Sequence, residues 1–152
     1  MSIQDEELQK IHKKLAISNF NRTWDLIDIS KRTKEQDLEM IHTAHASLFH
    51  WMQIGEPINF ARGEWQVSRV YNLLGMGDSA LLHGLHSLDL CLKNNIGDFD
   101  LAFGYETVAR AYKNLGDVDN QNLYYEKALI ATEQIAKKDD KKYTLSELKD
   151  LK

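Results

Sequence analysis

A lone cysteine, Cys91, stands in a chain of 152 residues. No intrachain disulfide can staple such a chain, which excludes a disulfide scaffold. Cys91 lies among Leu88, Leu90 and Leu92. It reads as a small buried hydrophobe, because a reactive thiol needs an electropositive, partly open setting. Proline is as scarce, with Pro57 the only one. No apolar run reaches the roughly 20 residues that a membrane span requires. The start is acidic, with Asp5, Glu6 and Glu7, and lacks the apolar core of a secretory leader. The expected compartment is the cytoplasm. An excess of positive charge is also missing. The net charge of −4 gives no general electrostatic reason to bind nucleic acid or anionic lipid. Period-two alternation is almost absent, so strands are not expected. No glycine-rich phosphate loop follows a strand, and no serine sits in a nucleophile elbow. No catalytic residue and no cofactor is therefore assigned.

What remains is helical. Hydrophobic residues make up 43% and charged residues 28% of the chain, the balance of an ordinary globular domain. A chain of this length buries roughly 70% of its unfolded surface, enough to fold without a metal. Apolar spacing of three and four residues predicts seven helices. The first runs over about 5–29. The second opens at the capping box of Thr33 and Gln36 and runs to Ile54, with Gly55 as its stop. The third follows Pro57 over about 58–74. Asp78 is expected to cap the fourth, which reaches about residue 94. Asp98 or Asp100 is expected to cap the fifth, ending before Gly116. The sixth spans about 118–136. Lys137–Lys142 reads as a solvated connection. Thr144 and Glu147 then form a second capping box, opening a short last helix with Leu145, Leu148 and Leu151 on one stripe.

An internal repeat organises these helices. Under a shift of 41 residues Ala61 falls on Ala102, Val67 on Val108, Leu82 on Leu123 and Leu88 on Leu129. Arg69, Tyr71, Leu74 and Gly75 fall on Arg110, Tyr112, Leu115 and Gly116 at the same shift. An upstream copy is fainter, with Trp24 on Trp65 and Ala46 on Ser87 and Ala128.

These residues resemble the tetratricopeptide pattern. Tyr105, Ala109, Tyr112, Gly116, Tyr125 and Ala128 match its order in the last copy, and Ser68, Tyr71, Gly75, Ala80, Gly84 and Ser87 in the middle one. Small residues let two helices cross closely, and aromatics fill the adjacent holes. Glu64 and Gln121 depart from the pattern, standing where it prefers a large apolar residue and alanine. The resemblance implies an all-α, right-handed solenoid of about three helical hairpins with a C-terminal capping helix. The single domain covers 1–152, with repeats at 61–101 and 102–142 and a weaker hairpin at 5–55. Phe20–Trp24, His42–Ser47, His50, Trp51, Ala61–Trp65 and Gly97–Ala102 also resemble a group of uncharacterised bacterial proteins, which supplies no functional residues.

For function, the resemblance implies a non-enzymatic module that binds a protein or peptide segment, or a small acidic ligand, in a concave groove. Arg62, Trp65 and Arg69 share one stripe of the third helix. Phe103, Glu106 and Arg110 share the matching stripe of the fifth, with Lys113 one turn beyond. Arg62, Arg69, Arg110 and Lys113 against Glu106 predict a local cationic patch, suited to carboxylate or phosphate. Ser68 and Tyr71 lie on another stripe, expected to pack on the fourth helix. The alternative is a metal-binding helical protein using Glu39, His42, His45 and His50, whose donor types suit a transition metal. His83 and His86 repeat the His42 and His45 pair. Repeat-equivalent residues on stacked helices stand about 10 Å apart, too far for one metal to join, so a row of exposed or half-exposed histidines is expected. Trp24, Trp51 and Trp65 read first as core. Partner identity and oligomeric state stay open.

Overall fold

The computed structural model describes residues 2–152, and these are all-α. Seven helices run in order: α1 (Ile3–Ile27), α2 (Lys34–Ile54), α3 (Pro57–Leu73), α4 (Gly77–Lys93), α5 (Asp98–Leu115), α6 (Val118–Glu133) and α7 (Lys138–Glu147), followed by a short 3-10 turn (Lys149–Leu151). They pack in successive pairs, α1 on α2, α3 on α4 and α5 on α6, with α3 also resting on α5. This arrangement is compatible with a helical repeat. No described helix is long and apolar enough to cross a membrane.

The helix ends show why the chain turns where it does. The Thr33 hydroxyl accepts from the Gln36 N–H at 3.1 Å while the Gln36 side chain accepts from the Thr33 N–H at 2.8 Å, so two orphan donors are answered at once. Pro57 occupies the first position of α3, where its missing N–H costs nothing. Gly75 and Gly116 adopt φ of 72° and 76°, the left-handed region that closes helices. Behind them Met76 N–H donates to Tyr71 O and Asp117 N–H to Tyr112 O, at 2.9 and 3.0 Å. The sequence repeat is thus a repeated helix stop.

Four expectations about helix ends need correction. Asp78 does not cap α4, which begins at Gly77. A Cβ at residue 77 would lie 2.8 Å from Leu115 Cγ, so this glycine allows α4 to start against the end of α5. Neither Asp98 nor Asp100 caps α5, whose N-cap is Gly97. Asp98 instead takes a left-handed φ of 55° and accepts from the Ala136 N–H at 3.2 Å, tying the start of α5 to the end of α6. That tie accompanies an α6 that stops at Glu133 rather than Ala136. Finally, α7 begins at Lys138, inside the supposed connection. Asp139 and Asp140 in its first turn favour the positive helix end. Thr144, read as a cap, lies within α7, fully buried, and its hydroxyl donates to Asp140 O at 2.7 Å.

The core follows the pairs. Leu26, Met40, Ala44, Leu48, Val67 and Val70 join α1, α2 and α3. Ala109, Tyr125 and Ala128 join α5 and α6 and are covered by Leu148 and Leu151. Ala109 and Ala128 are fully buried, as the small-residue positions demand. Gly63 and Gly104 fall on one another under the repeat shift and perform one task. A Cβ at Gly63 would meet Leu48 Cδ1 at 2.8 Å, and one at Gly104 would meet Leu88 Cα at 3.4 Å, so each lets its helix approach the preceding one closely. Ser68 bonds Ala80 O at 2.7 Å and Thr107 Oγ1 at 2.6 Å. Tyr71 stacks on His83. Both therefore pack on α4 as expected. The two departures from the tetratricopeptide pattern also find partners. Glu64 accepts a 2.6 Å contact from His83, and Gln121 donates to Leu151 O at 3.2 Å.

Candidate functional site

The face shared by α1, α3 and α5 holds an aromatic cavity of about 210 Å³. Phe20 and Trp24 enter from α1, and Ala61, Arg62 and Trp65 from α3. Cys91 enters from the end of α4, Phe99, Asp100 and Phe103 from α5, and Tyr143 from α7. Helical spacing sets the wall. Phe20 and Trp24 are one turn apart on α1, as are Phe99 and Phe103 on α5. The rings form a chain, with centroids 6.4 Å apart from Phe20 to Trp24 and 5.8 Å from Trp24 to Trp65. The chain continues at 5.4 Å from Trp65 to Phe103 and 6.1 Å from Phe103 to Tyr143. The tryptophans are therefore wall and not core. Trp24, Trp51 and Trp65 are all half-buried, and Trp51 lines a neighbouring cleft with Ile17 and Asn59.

Arg62 and Asp100, the charged members of the wall, are spent on each other. Arg62 donates to both oxygens of Asp100 at 3.0 Å each, a planar two-point pair between α3 and α5. Cys91 is buried, and burial pushes its thiol up to about 11, so it stays protonated at neutral pH.

Arg69 stands one turn beyond Trp65. Its guanidinium carbon lies 5.7 Å from the ring centres of both Trp24 and Trp65, within cation–π range. Its one ion contact among the described residues is Glu147 at 3.6 Å. Two donors here have no acceptor among the described residues, Trp65 Nε1 and Arg69 Nε, and both are buried.

Beyond Arg69 the face becomes a polar cleft of about 410 Å³, with Arg110, Lys113 and Asn114 opposite Glu147 and Asp150. Arg110 donates to Glu106 at 2.7 Å, to both Asp150 oxygens at 2.7 and 3.1 Å and to Glu147 O at 2.9 Å. Lys113 donates to Asp150 O at 2.7 Å. Glu106 is fully buried, and burial raises its pKa against the pull of Arg110. The predicted stripe is thus divided. Arg62, Trp65 and Phe103 meet at the cavity. Glu106, Arg110 and Lys113 hold the C-terminal segment, and Arg69 bridges the two. Sequence reasoning missed Phe20, Phe99, Asp100 and Tyr143 and misread Trp24. The one-turn aromatic pairs were the available signal.

The alternative metal ligands do not converge. Glu39 is held by Arg22 at 2.7 and 3.0 Å, and His42 is exposed. His45 contacts the Tyr71 hydroxyl at 2.8 Å, and His50 meets His12, nitrogen to nitrogen, at 2.8 Å. Among the described residues no group of three or more His, Cys, Asp or Glu side chains is placed to hold a metal ion. His45 and His83 lie 5.4 Å apart, ring to ring. They are diagonal neighbours rather than repeat equivalents, and their side chains lean across the gap between α2 and α4.

Fold and site together define an all-helical protein of paired helices with an aromatic cavity on the face of its odd-numbered helices. No family model, curated protein or solved structure matches the chain.

Proposed function

We propose that the chain is a non-enzymatic binding module. Three tetratricopeptide-like hairpins stack as a right-handed solenoid capped by α7, and a peptide or protein segment, or a small acidic ligand, lies in the concave groove of α1, α3 and α5. One observation carries this reading. The cavity is apolar, aromatic and nearly free of unpaired polar wall, the composition of a recognition pocket. It is smaller than a pocket for a whole drug-sized ligand, roughly 300 Å³ upward, so it anchors one side chain or one ring. The titratable pairs that suggest chemistry, His83–Glu64 and His45–Tyr71, are not among the residues lining it.

Selection of peptides from a random displayed library on the purified chain tests the proposal. Bound peptides are expected to move the indole N–H resonances of Trp24 and Trp65 more than that of Trp51. They are also expected to lose binding to a folded Trp65→Leu variant. Peptides that bind this variant as well as the parent would place recognition elsewhere.

A further inference from the structure

The cavity and the two unanswered donors beside it define a ligand more narrowly, an inference that rests on the groove reading above. We propose that the site takes an arylalkyl carboxylate: one aromatic ring on a short saturated stem ending in a carboxylate.

Size sets the first limit. An apolar cavity of roughly 150 Å³ is enough to hold benzene. The cavity of about 210 Å³ therefore has room for one ring and a few further carbons. The lining sets the ring's chemistry. Trp24, Trp65, Phe99 and Phe103 line it, and aromatic rings favour an aromatic guest in offset or edge-on contact over a saturated one.

The polar groups set the head. Both oxygens of Asp100 are engaged by Arg62, and the Cys91 thiol is protonated. Among the described residues the wall thus offers a cation only ring faces, and guanidinium groups already sit over three of them, Arg62 over Phe99 and Arg69 over Trp24 and Trp65. Of the three buried polar atoms without a partner among the described residues, Gln66 Oε1 is an acceptor on a residue that does not line the cavity, and the other two are donors. Trp65 Nε1 and Arg69 Nε are buried without acceptors, on side chains one turn apart on α3. The Arg69 charge is met by a carboxylate no nearer than 3.6 Å. A desolvated donor without an acceptor is a standing cost to the chain, and an arriving anion relieves it. Neither nitrogen is open to solvent, so the guanidinium shifts from its seat over the two indoles and the carboxylate pairs with both donors at the ring edge, away from the electron-rich faces. Arg69 thereby becomes the clamp at the border between the cavity and the polar cleft.

Three probes test this on the full chain: phenylbutyrate, its primary amide, and butyrate. Titrations are followed by calorimetry and by the indole N–H resonances. Phenylbutyrate is expected to bind more tightly than the amide by about tenfold or more, the worth of a hydrogen bond to a charged group. Butyrate is expected to fall below both. The Trp65 indole N–H should shift with the acid and much less with the amide. In Arg69→Met, which keeps the stem, the acid should lose its advantage over the amide. Equal binding of acid and amide by the wild-type chain would overturn the carboxylate clamp and leave the apolar groove standing. Binding of none of the three would overturn the small-ligand assignment, while the peptide selection decides the groove separately. The acid–amide comparison uses only the wild-type chain, so it holds even if Arg69→Met fails to fold.

Discussion

The carboxylate of Glu106, fully buried in α5, accepts a 2.7 Å hydrogen bond from Arg110 Nε one turn further on. Arg110 continues from there to Asp150 and Glu147 at the C-terminal end. One guanidinium therefore neutralises an interior charge and fastens the last helix. Removing it leaves Glu106 desolvated without its cation. Arg110→Leu is expected to cost about 3–5 kcal/mol, the range for breaking a buried pair by one partner. Adding Glu106→Leu should recover much of that loss, because the uncompensated charge goes with it. A denaturant double-mutant cycle reads the coupling, and additive losses would show that the pair is not energetically joined.

Ala128 sits at the crossing of α5 and α6 with no exposed surface, in one cluster with Ala109, Tyr125, Leu148 and Leu151. Three extra heavy atoms have nowhere to go. Ala128→Leu should destabilise by about 1–3 kcal/mol through overpacking. Chemical denaturation checks this, and an unchanged midpoint would mean that the crossing is looser than its burial implies.

His45 gives a pH dependence of definite sign. Burial, and then the nearby charge of His83, hold its pKa below the ordinary 6.5. Burial and His12 do the same for His50. Above that pH both states are neutral. As pH falls below 6.5 the unfolded chain takes up protons first, so folding loses stability until the folded-state pKa is passed. The melting temperature is therefore expected to fall on mild acidification, before carboxylates such as Asp150, whose pKa Arg110 lowers, titrate. His45→Gln should flatten this drop, and a profile as steep as the parent's would assign it to other groups.

Much of the paired-helix framework was readable because its signals are local. Thr33 with Gln36, Gly75 and Gly116 each determine a helix end through atoms within a few residues, and the repeat shift copies the last two. The start of α7 was hidden because Lys137–Lys142 looks like solvated charge. Asp139 and Asp140 favour a helix start only once Leu148 and Leu151 have a core to enter. The site was less legible for the same reason. Arg62, Trp65 and Phe103 could be placed from their stripes, but Phe20 and Tyr143 come from opposite ends of the chain. That Arg62 spends itself on Asp100 depends on how α3 lies against α5, a register no spacing within one helix reveals.

The C-terminal segment joins stability to the cavity through different residues, so the two can be separated. Leu148 and Leu151 are 1% and 0% exposed and cover Ala109, Tyr125 and Ala128. End elements of a stacked helical array bury a face that would otherwise meet water. Leu151→Ala should therefore cost about 2–5 kcal/mol, as large-to-small core changes do. Tyr143 behaves differently. It is 53% exposed, yet its ring closes the cavity against Phe103. Tyr143→Ala should leave the unfolding midpoint nearly unchanged and weaken any ligand seated among the aromatic rings. The two variants are compared by denaturation and by titration with one cavity ligand. A Tyr143→Ala chain that unfolds as readily as Leu151→Ala would make the tyrosine part of the cap, whereas normal stability with weakened binding makes it part of the site.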